Sequence, residues 1–271
     1  MSTLNVQEAA TSADGTRIAY WRSGEGRPLV LVHGTTADHT RWQPVLGLLE
    51  PHATVCAVDR RGRGGSSDNQ PYALEREYED VAAVVEAVAA ASGGPVDLFG
   101  HSHGALCSLE AARLTTRVRK LVLYEPPLLF DRDGYPPDLL DRLDAFIAED
   151  RRDEALALFF REIVRMPEAE LEGIRRLPAW QGRLAAAHTL AREERADFAY
   201  SFDPTRYKAV TTPTLLLLGG ESPAFLRSST EAVAAALPDA RVAILEGQQH
   251  VAIDTAPDLL AATVVAFLAE G

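Results

Sequence analysis

The apolar run Pro95-Val96-Asp97-Leu98-Phe99 stops at Gly100-His101-Ser102-His103-Gly104, and Ala105–Leu114 resumes at once with helix-forming residues. A strand that passes into a helix through so short a turn cannot pair with the next strand as a hairpin. The following apolar run, 118–125, is reached by a helical crossover, and a crossover makes neighbouring strands parallel. The two glycines have their own physical reason. A tight strand-to-helix turn leaves no room for a Cβ and strains the residue at its apex, and here that residue is Ser102. The bland reading of Ser102 is a helix N-cap in a glycine-rich turn. The chemical reading is a nucleophile lifted out of the chain beside a helix N-terminus, where backbone N–H groups meet developing negative charge.

The same alternation continues along the chain. Apolar strands are predicted at 28–34, 53–59, 95–100, 118–125, 212–220 and 240–247, with helices at 75–91, 105–114, 223–236 and 257–269. Before them, Val6–Thr11 and Thr16–Trp21 flank Asp14-Gly15 as a hairpin. Strands alternating with helices predict an α/β fold, a mostly parallel sheet with helices on both faces. Residues 131–205 break the pattern. They carry Arg, Asp, Glu, Ala and Leu at helical spacing, interrupted by Pro136-Pro137, Pro167, Pro178 and Pro204. The expected organisation is a core of 1–130 and 206–271, with 131–205 as a helical cap over the C-terminal edge of the sheet. Such sheets bind ligands at that edge.

At 271 residues the chain can hold one large domain with an insertion. A net charge of −12 argues against nucleic acid and against anionic membranes as partners, since both require basic surfaces. The first twenty residues have no secretory pattern, and no apolar run is long enough for a transmembrane helix. Cys56 and Cys107 lie in apolar segments and read as small buried hydrophobes rather than zinc ligands, so a cytoplasmic location is expected. The expected partner is a small-molecule substrate, with no cofactor and no metal.

A nucleophilic serine needs a base and a cradle for the oxyanion. Of the histidines at 33, 39, 52, 101, 103, 188 and 250, His250 follows the last strand, which is where this kind of sheet puts its base. The N–H of His103, next after the serine, is one expected oxyanion donor. Thr35, in the loop after "LVLVHG", is the other, with Thr36 close behind. Each donor is worth about 3 kcal/mol of transition-state stabilisation. Thr36, Trp42, Phe130 and Trp180 are expected pocket walls, and the His103 side chain is a possible additional donor. The many arginines of the insertion read as a solvated Arg–Glu surface.

The segments "HGTTADHTRW", "VDRRGRGGSS", "GHSHG", "TPTLLLLGG" and "GQQHVAIDTAPDLL" occur in an order and spacing that resemble the α/β-hydrolases over essentially the whole chain. The resemblance implies an eight-stranded, mostly parallel sheet with a lid inserted after the sixth strand. It also implies that Asp59 and Arg61-Gly62 are loop architecture. The chain departs from the family at the acid. Where an Asp is common after the seventh strand, the sequence reads Gly219-Gly220-Glu221-Ser222. Glu125, at the tip of the sixth strand, occupies a position that some members use instead. Glu125 is therefore the preferred partner of His250, with Glu221 as the alternative, and Asp254 is read as a brace for the last helix. The implied activity is hydrolysis of a small or medium carboxylic ester, thioester or lactone through an acyl-enzyme on Ser102. Two rival readings are a cofactor-free lyase or cyclase of a biosynthetic pathway that uses the triad as a general base, and a non-catalytic ligand-binding protein.

Overall fold

A computed structural model of the protein describes residues 6–129, 134–177 and 179–270. Eight strands form one sheet: β1 (Val6–Thr11), β2 (Arg17–Ser23), β3 (Pro28–Val32), β4 (Thr54–Val58), β5 (Val96–His101), β6 (Val118–Tyr124), β7 (Thr214–Gly219) and β8 (Ala240–Leu245). Their order is β1-β2-β4-β3-β5-β6-β7-β8. Pairings of β2 with β1 and β4 are antiparallel, and every later pairing is parallel.

The helices between strands are α1 (Gln43–Leu49), α2 (Leu74–Ser92) and α3 (His103–Ala111). Between β6 and β7 come α4 (Leu139–Ala148), α5 (Arg152–Leu158), a π-helical turn (Phe159–Ile163), α6 (Glu168–Arg175), α7 (Ala179–Ala186) and α8 (Leu190–Ala199). The last are α9 (Ala224–Ala236), α10 (Ala252–Thr255) and α11 (Pro257–Ala269). Period-two alternation splits the strand residues between two cores. Val30, Val32, Leu98, Leu121 and Leu123 face α2, α3 and α9. Leu29, Leu31, Phe99, Val122 and Leu217 face α1 and α11. Both faces are therefore buried, which is why these strands read as nearly unbroken apolar runs. Among the described residues no helix is long and apolar enough to cross a membrane.

The helices between β6 and β7 have a third apolar core, built around Leu139, Leu143, Leu156, Phe160, Leu171 and Trp180. Buried ion pairs tie this block to the loop after β4. Arg60 is held by Glu77 of α2 at 2.7 Å and by Glu193 of α8 at 3.3 Å, and Arg63 also pairs with Glu193. Removing one partner from such a pair costs about 3–5 kcal/mol, because the other charge stays buried. Arg61 is taken up by Asp80 and Asp14, in keeping with loop architecture. The 43–49 helix and the π-helical turn were not expected from the sequence. α3 begins two residues earlier than expected, immediately after Ser102.

Candidate active site

Ser102 sits between β5 and α3 with φ of 57°, a left-handed conformation that a non-glycine residue adopts only under constraint. The constraint is visible on every side. A Cβ on Gly100 would lie 2.6 Å from the Ala105 Cα, and one on Gly104 would strike the backbone oxygens of Val32 and His33. Gly34, two residues beyond β3, is also crowded: its Cβ would be 2.9 Å from the Cβ of Ser102. The Ser102 N–H donates to the Tyr124 carbonyl at 2.8 Å, which anchors the turn to β6.

The tip of β6 supplies the next parts. Glu125 is fully buried and also has positive φ, 48°. One carboxylate oxygen is 2.5 Å from His250 Nδ1, and the other accepts the Gly219 N–H at 2.7 Å. Of the two expected acids, the structure thus brings Glu125 to His250. Glu221 is exposed on the turn after β7, where its N–H donates to the Gln248 carbonyl. The loop bearing His250 is strapped twice by Tyr124, whose hydroxyl donates to the Gln249 carbonyl and accepts the Ala252 N–H. His101 adds a third tie, with Nε2 2.9 Å from the His250 carbonyl and its ring 4.7 Å from the His250 ring. Burial, and then the neighbouring His250 and Arg41, hold the His101 imidazole well below its usual pKa. It is therefore neutral and donates to that carbonyl.

Ser102, Thr35 and His250 together line two adjoining cavities. The first is walled by Leu129, Phe159 and Phe225 and ends in Glu194 and Asp197. Glu194 is buried, and burial followed by the adjacent Asp197 charge raises its carboxyl well above the ordinary value. The second cavity contains His101, Phe160, Arg41 and Arg183. Asp254 does not brace α11 but accepts Arg41 Nη1 at 2.7 Å. The N–H of His103 opens α3, so the helix offers it no acceptor.

Three of the expected walls lie elsewhere. Trp42 ends a 3-10 turn that points it to the far face of the sheet, where its ring packs 5.0 Å from Phe99. Trp180 belongs to the core of the helical block and donates Nε1 to Asp153 at 2.9 Å. The His103 side chain does not enter a cavity; it is buried with Nδ1 2.7 Å from Asp197 Oδ2, and Asp197 stands at the wall instead. Thr36 is buried behind Thr35 with φ of 57°, and its hydroxyl accepts from Arg183 at 3.3 Å. Phe130 lies outside the described residues. Sequence reasoning missed Tyr124, Arg41, Arg183, Glu194 and Asp197. Only Tyr124 carried a local signal, as the neighbour of Glu125 at a strand tip.

Among the described residues one trio could hold a metal, Asp38, His39 and Asp59, with ligand atoms within 4.8 Å of one another. The chemistry of the trio does not favour it. One Asp59 oxygen accepts His39 N–H and faces His39 Nδ1, while the other accepts Trp21 Nε1–H and Gly65 N–H. These bonds brace the loop.

Residues 29–263 match the alpha/beta hydrolase family. A stretch of 87 residues is 36% identical to (E)-2-((N-methylformamido)methylene)succinate hydrolase of Acinetobacter baylyi, covering 32% of this chain and 32% of that protein. The match thus spans about a third of the relative's length. An alpha/beta hydrolase from Sphaerobacter thermophilus has a TM-score of 0.85 and 40% identity, over 96% of this chain and 100% of that one. The esterase RhEst1 from Rhodococcus sp. ECU1013 has a TM-score of 0.76 at 24% identity, over 97% and 98% of the two chains, a likeness of fold.

Proposed function

Because the chain belongs to the alpha/beta hydrolase family, we propose that it is a serine hydrolase acting on a small or medium carboxylic ester, thioester or lactone. The observation that carries this reading is the 2.5 Å contact of His250 Nδ1 with the buried Glu125 carboxylate, on a histidine that lines the same cavities as a positively strained Ser102. Glu125 holds the tautomer that leaves Nε2 free to accept a proton. His250 takes the proton of Ser102 Oγ as that oxygen attacks the substrate carbonyl. The new oxyanion is received by the N–H groups of Thr35 and His103. His250 then returns the proton to the leaving alcohol, thiol or ring oxygen, and the acyl group remains on Ser102. Water, deprotonated by His250, repeats the attack and releases the acid. The helices of 131–205 act as the cap, and Phe159 and Leu129 keep the acyl chain dry.

The Acinetobacter relative is named for a hydrolysis whose substrate carries a formamido group, so amides belong beside esters in a substrate panel. The test is a fluorophosphonate probe read by intact mass and peptide mapping. One adduct per chain on Ser102, absent in His250→Ala, is expected. Well-folded protein that takes no adduct overturns the reading.

A further inference from the structure

Most arginines of the helical block follow the surface pattern expected from the sequence. Arg151, Arg152, Arg161, Arg175 and Arg195 each reach Asp or Glu within hydrogen-bond distance. Arg183 of α7 does not. It is 8% exposed, and its one hydrogen bond among the described residues is the 3.3 Å contact to the neutral Thr36 hydroxyl. Its guanidinium lies 5.2 Å from the centre of the Phe160 ring, and no carboxylate of the described residues forms an ion pair with it. Burial, then the nearby Arg41 charge, draws it down to about 10, with Asp254 opposing. It remains a cation at neutral pH.

Arg41 is the second cation of this cavity, 5% exposed. Asp254 takes its Nη1, while its Nη2 is buried with no hydrogen-bond partner. Two guanidinium groups therefore line a cavity with Ser102 and His250, and among the described residues only Asp254 is ion-paired with either, at Arg41. A buried unpaired charge is costly, and a fold retains one at a ligand site when the ligand brings the counter-charge. The donor type narrows the class. A planar guanidinium with free N–H groups matches the two oxygens of a carboxylate.

We infer that Arg183 and Arg41 form a carboxylate-binding subsite, and that the substrate is an anionic ester bearing a free carboxylate beside its scissile carbonyl, such as a half-ester of a dicarboxylic acid. The inference rests on the serine hydrolase reading for the scissile bond, but not for the anion site. Bound there, the free carboxylate supplies the missing anion, and its tether directs the ester carbonyl to Ser102.

The experiment compares monoethyl with diethyl succinate by proton release, in the wild type, Arg183→Met and Arg183→Lys. Methionine keeps the apolar stem against Phe160, and lysine keeps the charge without the fork. The ratio of kcat/KM for monoester over diester is expected to fall about 10- to 100-fold in Arg183→Met and less in Arg183→Lys. In parallel, succinate itself is titrated against thermal unfolding. A rise in Tm in the wild type that Arg183→Met abolishes reads the site without catalysis. If esters are cleaved but the ratio does not move on substitution, the subsite is overturned and the hydrolase reading stands. If neither ester is cleaved and Ser102 takes no fluorophosphonate adduct, yet succinate still raises Tm through Arg183, the hydrolase reading falls and the anion site stands. With no turnover, no adduct and no succinate shift, both readings are overturned.

Discussion

The molecule contains two imidazole–carboxylate pairs of nearly equal geometry at the same edge of the sheet. His250 Nδ1 is 2.5 Å from Glu125, and His39 Nδ1 is 2.7 Å from Asp59. Both carboxylates are fully buried. Their surroundings differ. Asp59 meets four donor groups, from Trp21, Gly65 and twice from His39, and the His39 ring lies stacked 4.5 Å from Trp21. Glu125 meets two, and the His250 ring opens onto cavities that hold a serine. The contrast teaches that distance does not make such a pair chemical. A saturated pair locks a loop; a pair whose ring opens onto a cavity lined by a serine is placed where, on the reading proposed above, a proton can move.

The largest expected break in the comparison is kinetic. Ser102→Ala or His250→Ala should lower kcat by about 10⁴-fold or more, and Glu125→Gln by a similar order through loss of the correct tautomer. Steady-state rates on the best ester of the panel check this. Asp59→Asn should leave the rate within a few fold and lower stability by about 3 kcal/mol, read by urea unfolding. Should Asp59→Asn be the inactive variant and Glu125→Gln an active one, the two pairs have been assigned in reverse.

Stability against pH sharpens the contrast more finely. Burial raises the Asp59 carboxyl, but the hydrogen bonds from His39 and Gly65 outweigh it and hold it below 3.8. Its contribution is therefore present above that value and lost as the pH falls through the lower folded value. Glu194 runs the other way. Burial and Asp197 raise it above 4.5, so its contribution is present below 4.5 and lost as the pH rises toward the folded value. Relative to wild type, Glu194→Gln should gain stability as the pH rises above 4.5, and Asp59→Asn should lose its deficit as the pH falls below 3.8. Unfolding free energies from pH 3 to 8 test both signs. The smallest effect is expected for Glu221→Gln, whose rate and Tm should stay close to wild type.

The sheet, most of its helices and the approach of Glu125 to His250 were legible because each leaves a local trace. These traces are alternation of apolar runs, glycines framing a serine, and a carboxylate at a strand tip where the usual acid position reads Ser222. The walls were not legible. Helical spacing identifies Trp42 and Trp180 as apolar, but which surface each covers is set by packing. Trp42 is turned by a 3-10 segment toward Phe99, and Trp180 is drawn into the core of the helical block. Arg183 looked like its neighbours because composition records a charge and not the absence of a partner. Glu194 and Asp197 come into view only once α8 is laid against α3.

Hanging the acid from β6 has a consequence for how the chain can change. The end of β7 gives Glu125 a backbone N–H, from Gly219, and a side chain there would collide with the Gln248 carbonyl at 2.6 Å. Gly219 is therefore fixed, but residue 221 is free of proton chemistry and points to solvent. For an engineer, residue 221 is a place to attach a label or graft a short peptide close to the cavities that Ser102 and His250 line.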